Sequence, residues 1–110
     1  MTFDEYQAQA KTTLIKHPDE TMNQTILAMG IVGEAGEMID KWKKIQSYFD
    51  GEVNAETLQE LGREIGDILW YIATFADSLG LKLSDIAQTN LAKLADRKKR
   101  NVQRGEGDNR

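Results

Sequence analysis

The sequence predicts an all-α fold: a four-helix chain forming a bundle that is completed by dimerisation. Three observations carry this. Apolar residues recur at three- and four-residue steps through each long segment, as a helix face requires. No strand pattern or internal repeat interrupts them. Long apolar helices in a chain of 110 residues also leave faces that a second copy would have to cover, because small domains bury a limited share of their surface.

The first helix is expected from Phe3 to Lys16, ending at His17-Pro18-Asp19, since the residue before a proline disfavours helix. The second starts near Thr21 or Asn23, both acceptable caps, and runs to about Gln46. Its stripe is Ile26, Leu27, Met29, Val32, Met38, Ile39, Trp42 and Ile45. Ser47 to Asn54, containing Asp50-Gly51, reads as a loop. The third helix runs from a cap at Asn54 to about Leu79, with Gly80 as a left-handed stop. Leu58, Leu61, Ile65, Ile68, Leu69, Ile72 and Phe75 form its stripe. The fourth starts at Ser84 as cap and reaches about Lys98, with Ile86, Leu91 and Leu94 inward. Residues 1–99 thus form one helical domain. The remaining residues, 100–110, form a basic, glycine-containing tail with so little apolar content that alone it would be disordered.

Composition narrows the chemistry. Cysteine is absent, so disulfides and thiolate metal sites are excluded, and the lone histidine, His17, rules out any site needing two. A His beside a proline in a turn reads as a surface residue. Any metal must be held by oxygen, which points to a hard cation such as Mg²⁺, with Mn²⁺ as substitute. No apolar run approaches the ~20 residues that span a bilayer. The N-terminus lacks the regions of a signal peptide, so the expected location is cytoplasmic and no membrane partner is expected. Residues 1–92 hold 15 acidic and 7 basic residues, a net of −8, whereas residues 93–110 hold 7 basic and 3 acidic, a net of +4. Either a nucleic-acid tail or a basic flap over an acidic metal site fits that asymmetry.

Two carboxylate pairs stand out. Glu34 and Glu37 on the second helix, and Glu64 and Asp67 on the third, are each spaced i, i+3 and so share a face. Both pairs lie in apolar stretches, where ionised carboxylates are costly without compensation. If the two helices pack antiparallel, the four groups converge and call for a divalent counter-charge. Glutamates three apart are also common on solvated faces, so spacing alone leaves metal binding and a solvated surface evenly matched. Gly30, Gly33, Gly36, Gly62 and Gly66 add weight: each costs about 1 kcal/mol inside a helix, and close helix contact or room for a ligand would explain them. On the fourth helix Asn90, Lys93 and Arg97 share a face, and Lys and Arg in such a row suit phosphate oxygens. A merely solvated basic face is the alternative.

These residues together resemble a known family. Glu34-x-x-Glu37, a 26-residue gap, then Glu64-x-x-Asp67 is similar to the metal-binding signature of the MazG-like all-α nucleoside triphosphate pyrophosphohydrolases. The likeness continues through Gly33-Glu34-Ala35-Gly36-Glu37, Gly66-Asp67-Ile68-Leu69-Trp70-Tyr71, Asn90-Leu91-Ala92-Lys93-Leu94 with Arg97, the opening Phe3-Asp4-Glu5-Tyr6-Gln7 and the ending Arg104-Gly105-Glu106-Gly107-Asp108-Asn109-Arg110. It covers nearly the whole chain in order, as in small single-domain members.

The resemblance implies Mg²⁺-dependent hydrolysis of ribo- or deoxyribonucleoside triphosphates at the α–β bond, giving monophosphate and pyrophosphate in house-cleaning or adjustment of nucleotide pools. It implies that Glu34, Glu37, Glu64 and Asp67 are metal ligands and the catalytic set. It places Lys93 and Arg97 at the triphosphate with Asn90 close by, and Gly30 and Glu60 where substrate contacts fall. Arg63 stands where relatives often have an acidic residue and receives no role. A homodimer or homotetramer is implied, with the tail folded over bound nucleotide. Trp42, Trp70 and Tyr71 are candidates for base stacking, but at helical spacing they fit core or interface better.

A non-catalytic nucleotide-binding regulator of the same fold is the alternative, and the intact carboxylate set argues against it. A nucleic-acid module is disfavoured because the tail has no aromatic residue for stacking and the body is acidic. A di-iron bundle would need Glu-x-x-His pairs that the sequence lacks.

Overall fold

A computed structural model describes residues 1–110 as four helices and no strand. They are α1 (Phe3–Lys11), α2 (Glu20–Tyr48), α3 (Ala55–Ser78) and α4 (Leu83–Lys99). The all-α prediction holds.

Several boundaries differ from the sequence reading, each for a local reason. Helix α1 stops at Lys11 because the Thr12 and Thr13 hydroxyls donate back to the Gln9 and Ala10 carbonyls at 2.6 and 2.8 Å, competing with the helical ladder. Asp19 caps α2, its carboxylate accepting from the Met22 amide at 2.7 Å. Asn23 is buried instead, accepting from the His17 amide. Helix α2 continues two residues past Gln46 before Asp50 and Gly51, both at positive φ, turn the chain. Asn54 caps α3 as expected, and Gly80 adopts φ 73° just past its end. Lys82, not Ser84, precedes α4; the Ser84 hydroxyl donates to Asp4 at 2.8 Å and ties α4 to α1.

Helices α2 and α3 form the long antiparallel hairpin, α1 lies along α3, and α4 packs on α1 and α3 but not on α2. Leu27 is buried between the long helices, and Gln24 Nε2 donates to the Ser78 carbonyl. At the other junction, Ala10, Ala73 and Leu83 make a small core with Tyr6, Leu69, Trp70 and Ile72 around it. Gln7 joins three segments there. Its amide nitrogen donates to the Ala73 and Leu81 carbonyls at 3.1 and 2.9 Å, and its oxygen accepts from the Leu83 amide at 3.0 Å.

The tail is folded rather than loose. Arg110 donates to the Val102, Gln103 and Gly107 carbonyls, and Asp108 reaches back to α4. The weak apolar content that predicted disorder is offset by this network of guanidinium and carbonyl groups.

The chain alone is open. Its surface is 8305 Å², against about 6,100 Å² for a compact monomer of its mass. Its radius of gyration is 17.0 Å, against about 13 Å for a compact domain of this length. Met29, Val32 and Ile39 on α2 and Leu58 and Ile65 on α3 stand in solvent. No helix is long and apolar enough to cross a membrane.

Candidate metal centre

The antiparallel hairpin brings the carboxylate pairs face to face. Glu34, Glu37 and Glu64 each offer an oxygen within 4.8 Å of the others. Asp67, one turn further along α3, is exposed and outside that group, but its charge acts on Glu34. Partial loss of water raises the Glu34 carboxyl above its ordinary value, helped by the neighbouring Glu37 and then by Asp67 and Glu64. Tyr6, from α1, borders the same region: burial raises its hydroxyl pKa, and the Asp67 charge raises it further.

Glu64 gives the sharpest observation. It is 9% exposed. Its Oε1 meets the Lys41 ammonium at 3.0 Å, while its Oε2 is buried with no hydrogen-bond partner. A buried carboxylate oxygen without a partner is costly. Glu64 also shares a cluster with two more carboxylates, and an all-oxygen donor set of this kind fits Mg²⁺ or Mn²⁺.

The basic residues of α4 lie elsewhere on the chain. Lys93 and Arg97 both donate to Asp108 Oδ1, at 2.9 and 3.1 Å, and Arg97 also donates to the Asp108 carbonyl at 2.9 Å. The Lys93 ammonium, and then the Arg97 guanidinium, hold the Asp108 carboxyl below its ordinary value. Arg97 is buried, with Nε unpartnered. Asn90 and Lys93 line an open cleft with Asp108. An anion therefore already sits on the pair expected to hold phosphate, and it comes from the chain itself.

The other candidates fall as follows. Glu60 lines a cavity between α2 and α3, beyond Lys41. Gly30 faces the Tyr71 ring, which occupies the space a Cβ would need. Gly33, Gly36, Gly62 and Gly66 face open space. Trp70 is structural, its Nε1 donating to the Ala10 carbonyl and the Thr13 hydroxyl. His17 is exposed, as expected. Sequence reasoning missed Lys41 and Asp108. Lys41 was visible as the residue four after Glu37 on the same face; Asp108 stood within the family-like ending, but nothing local marks it as the partner of Lys93 and Arg97.

Comparison with known proteins gives the family. Residues 22–102 match the family model described as the MazG nucleotide pyrophosphohydrolase domain. The Gene 37 protein of Mycobacterium phage L5 is 43% identical over 115 residues, spanning all of both chains, and its name states no activity. No solved structure matches.

Proposed function

The chain belongs to the MazG nucleotide pyrophosphohydrolase family, and on that footing we propose that it hydrolyses nucleoside triphosphates, ribo or deoxyribo, at the α–β bond with Mg²⁺. The observation that carries the reading is the buried Glu64, with Oε2 unpartnered, clustered with Glu34 and Glu37. In this proposal Glu34, Glu37, Glu64 and Asp67 hold the cation. When bound, Mg²⁺ supplies counter-charge to the triphosphate and acidifies the attacking water. The water oxygen bonds to the α-phosphorus, the bond to the bridging oxygen breaks, and pyrophosphate leaves. A carboxylate of the cluster accepts the water proton, which passes on to solvent. Lys93 and Arg97 hold the departing phosphates, with Asn90 and Glu60 at the nucleotide.

In the nucleotide-free chain Asp108 keeps the basic pair together, and substrate phosphate displaces it. The tail, residues 100–110, then closes over the nucleotide. The proposed assembly is a homodimer or homotetramer. Exposed Met29, Val32 and Ile39 repeat with Gly33 and Gly36 along one face of α2, and Leu58, Gly62 and Ile65 along one face of α3. The surface excess of about 2,200 Å² per chain is on the scale of an obligate interface.

The test is product analysis with the eight common nucleoside triphosphates, in Mg²⁺ or EDTA, beside Glu37→Ala and Asp67→Ala. Monophosphate plus pyrophosphate, lost in EDTA and in both variants, supports the reading. Diphosphate plus orthophosphate would mean another bond is cut. Nucleotide binding without turnover would favour a regulatory protein of the same fold.

A further inference from the structure

The groove between α2 and α3 continues past the carboxylates. On α2, Glu37, Lys41 and Ile45 succeed one another at steps of four; on α3, Glu64 is preceded on its face by Leu61, Glu60 and Thr57. There the two faces enclose a cavity of about 200 Å³, with Ile45, Phe49 and Leu61 as apolar walls and Lys41, Lys44, Thr57 and Glu60 as polar ones. We propose that this cavity is the nucleobase subsite and takes a base carrying an exocyclic amino group. The proposal rests on the reading of the chain as a nucleoside triphosphate hydrolase.

Reach comes first. At 1.5 Å per residue, Lys41 lies about 6 Å and Ile45 about 12 Å along the helix from Glu37. A nucleotide whose phosphates sit over the carboxylates would set its sugar beside Lys41 and its base among Ile45, Leu61 and Phe49. Size agrees. Pockets for whole drug-sized ligands run to roughly 300–1,000 Å³, so this one suits a fragment such as a single ring system.

The chemistry is also specific. Phe49 follows α2, is 63% exposed and lines the cavity, which puts an aromatic side chain at its wall. Stacking on such a side chain tolerates any base. The polar wall on α3 discriminates. Thr57 donates its hydroxyl proton to Asn54 Oδ1 at 2.8 Å, so it offers only lone pairs to the cavity. Glu60 forms no hydrogen bond or ion pair with the chain, leaving a second acceptor. The two ammonium groups of the lining are already engaged, Lys41 with Glu64 at 3.0 Å and Lys44 with Asp40 at 2.8 Å. The two acceptors left beside them favour a base that presents N–H donors, as cytosine does through its amino group. The opposite end of the groove offers no rival: there the Tyr71 ring fills the face of Gly30, and Trp70 is committed to α1.

Calorimetric titration with Mg²⁺ present tests this, using α,β-imido analogues of dCTP and dTTP and inorganic tripolyphosphate as the base-free probe. The wild type should bind the dCTP analogue at least tenfold more tightly than tripolyphosphate. Phe49→Ala, at an exposed position, and Leu61→Trp, which fills the cavity, should each shrink that gap severalfold while tripolyphosphate affinity stays within about twofold. Glu60→Gln should cut the preference for the dCTP over the dTTP analogue by about tenfold. An unchanged gap in both Phe49→Ala and Leu61→Trp would overturn the subsite and leave the hydrolase reading standing. Equal wild-type affinity for tripolyphosphate and the dCTP analogue would do the same. Failure of the wild type to bind any of the three would overturn the hydrolase reading itself, and this inference with it.

Discussion

The ammonium of Lys41 lies 3.0 Å from Glu64 Oε1, so the most buried carboxylate of the cluster carries a counter-cation from the chain itself. That cation competes with any divalent ion for Glu64. Lys41→Met should therefore tighten Mn²⁺ binding to the nucleotide-free protein, by about threefold or more. Free Mn²⁺ measured by electron paramagnetic resonance reads this directly. Weaker binding in the variant would show that Lys41 serves to hold Glu64 in place.

Asp108 acts at the other basic site. Its carboxyl is held below its ordinary value by Lys93 and then by Arg97. A depressed carboxylate contributes docking that is complete above its free value, near 3.9, and is lost as the pH falls through the depressed one. The tail should stay docked at neutral pH and release only below the ordinary aspartate range. The amide resonances of Gly105 and Gly107 would report it.

Asp108→Asn should undock the tail at neutral pH and free Lys93 and Arg97. Tripolyphosphate affinity should then rise by about two- to fivefold. Unchanged affinity would mean that these two residues do not hold phosphate.

The glycines of α2 separate packing within the chain from packing between chains. Gly30→Ala would drive a Cβ into the Tyr71 ring and should lower stability by about 1–3 kcal/mol. At Gly33 and Gly36 a Cβ meets nothing within the chain, so an isolated chain would gain about 1 kcal/mol from alanine. If a second copy covers that face, the same changes should loosen the oligomer while leaving helicity intact. Sedimentation velocity beside circular dichroism distinguishes the cases: a higher melting temperature without dissociation would leave the face in water.

Gln7→Leu removes one side chain, strands the Leu81 carbonyl and the Leu83 amide, and takes a second donor from the Ala73 carbonyl, which lies inside α3. At about 1–3 kcal/mol per unsatisfied group, this change should cost about 2 kcal/mol or more, seen as a fall in the thermal midpoint. A small shift would mean that water replaces the lost partners.

The parts of this arrangement that were legible in the sequence follow from periodicity. The stripes of α2 and α3 and the i, i+3 carboxylate pairs are fixed by helix geometry, and the short loop at Asp50-Gly51 makes the hairpin antiparallel, so their convergence could be anticipated. Features that depend on one side chain's choice among partners were not legible. Thr12 and Thr13 turn back on α1 and end it early, Ser84 bonds Asp4 instead of capping α4, and Asp108 crosses fifteen residues to Lys93. Tyr71 in the notch at Gly30 and the cavity beside Phe49 likewise emerge only once the helices are placed.

The missing contact between α2 and α4 has a mechanical consequence. Both arms are carried by α3, like two levers on one beam, and no hydrogen bond or ion pair joins α2 to α4 to couple their swing. A ligand that touched carboxylates on one arm and the basic pair on the other would act as a strut between them. Rigidity would then arrive with the ligand, and the resistance of α2 to local opening would track occupancy more steeply than that of the α1–α3 junction.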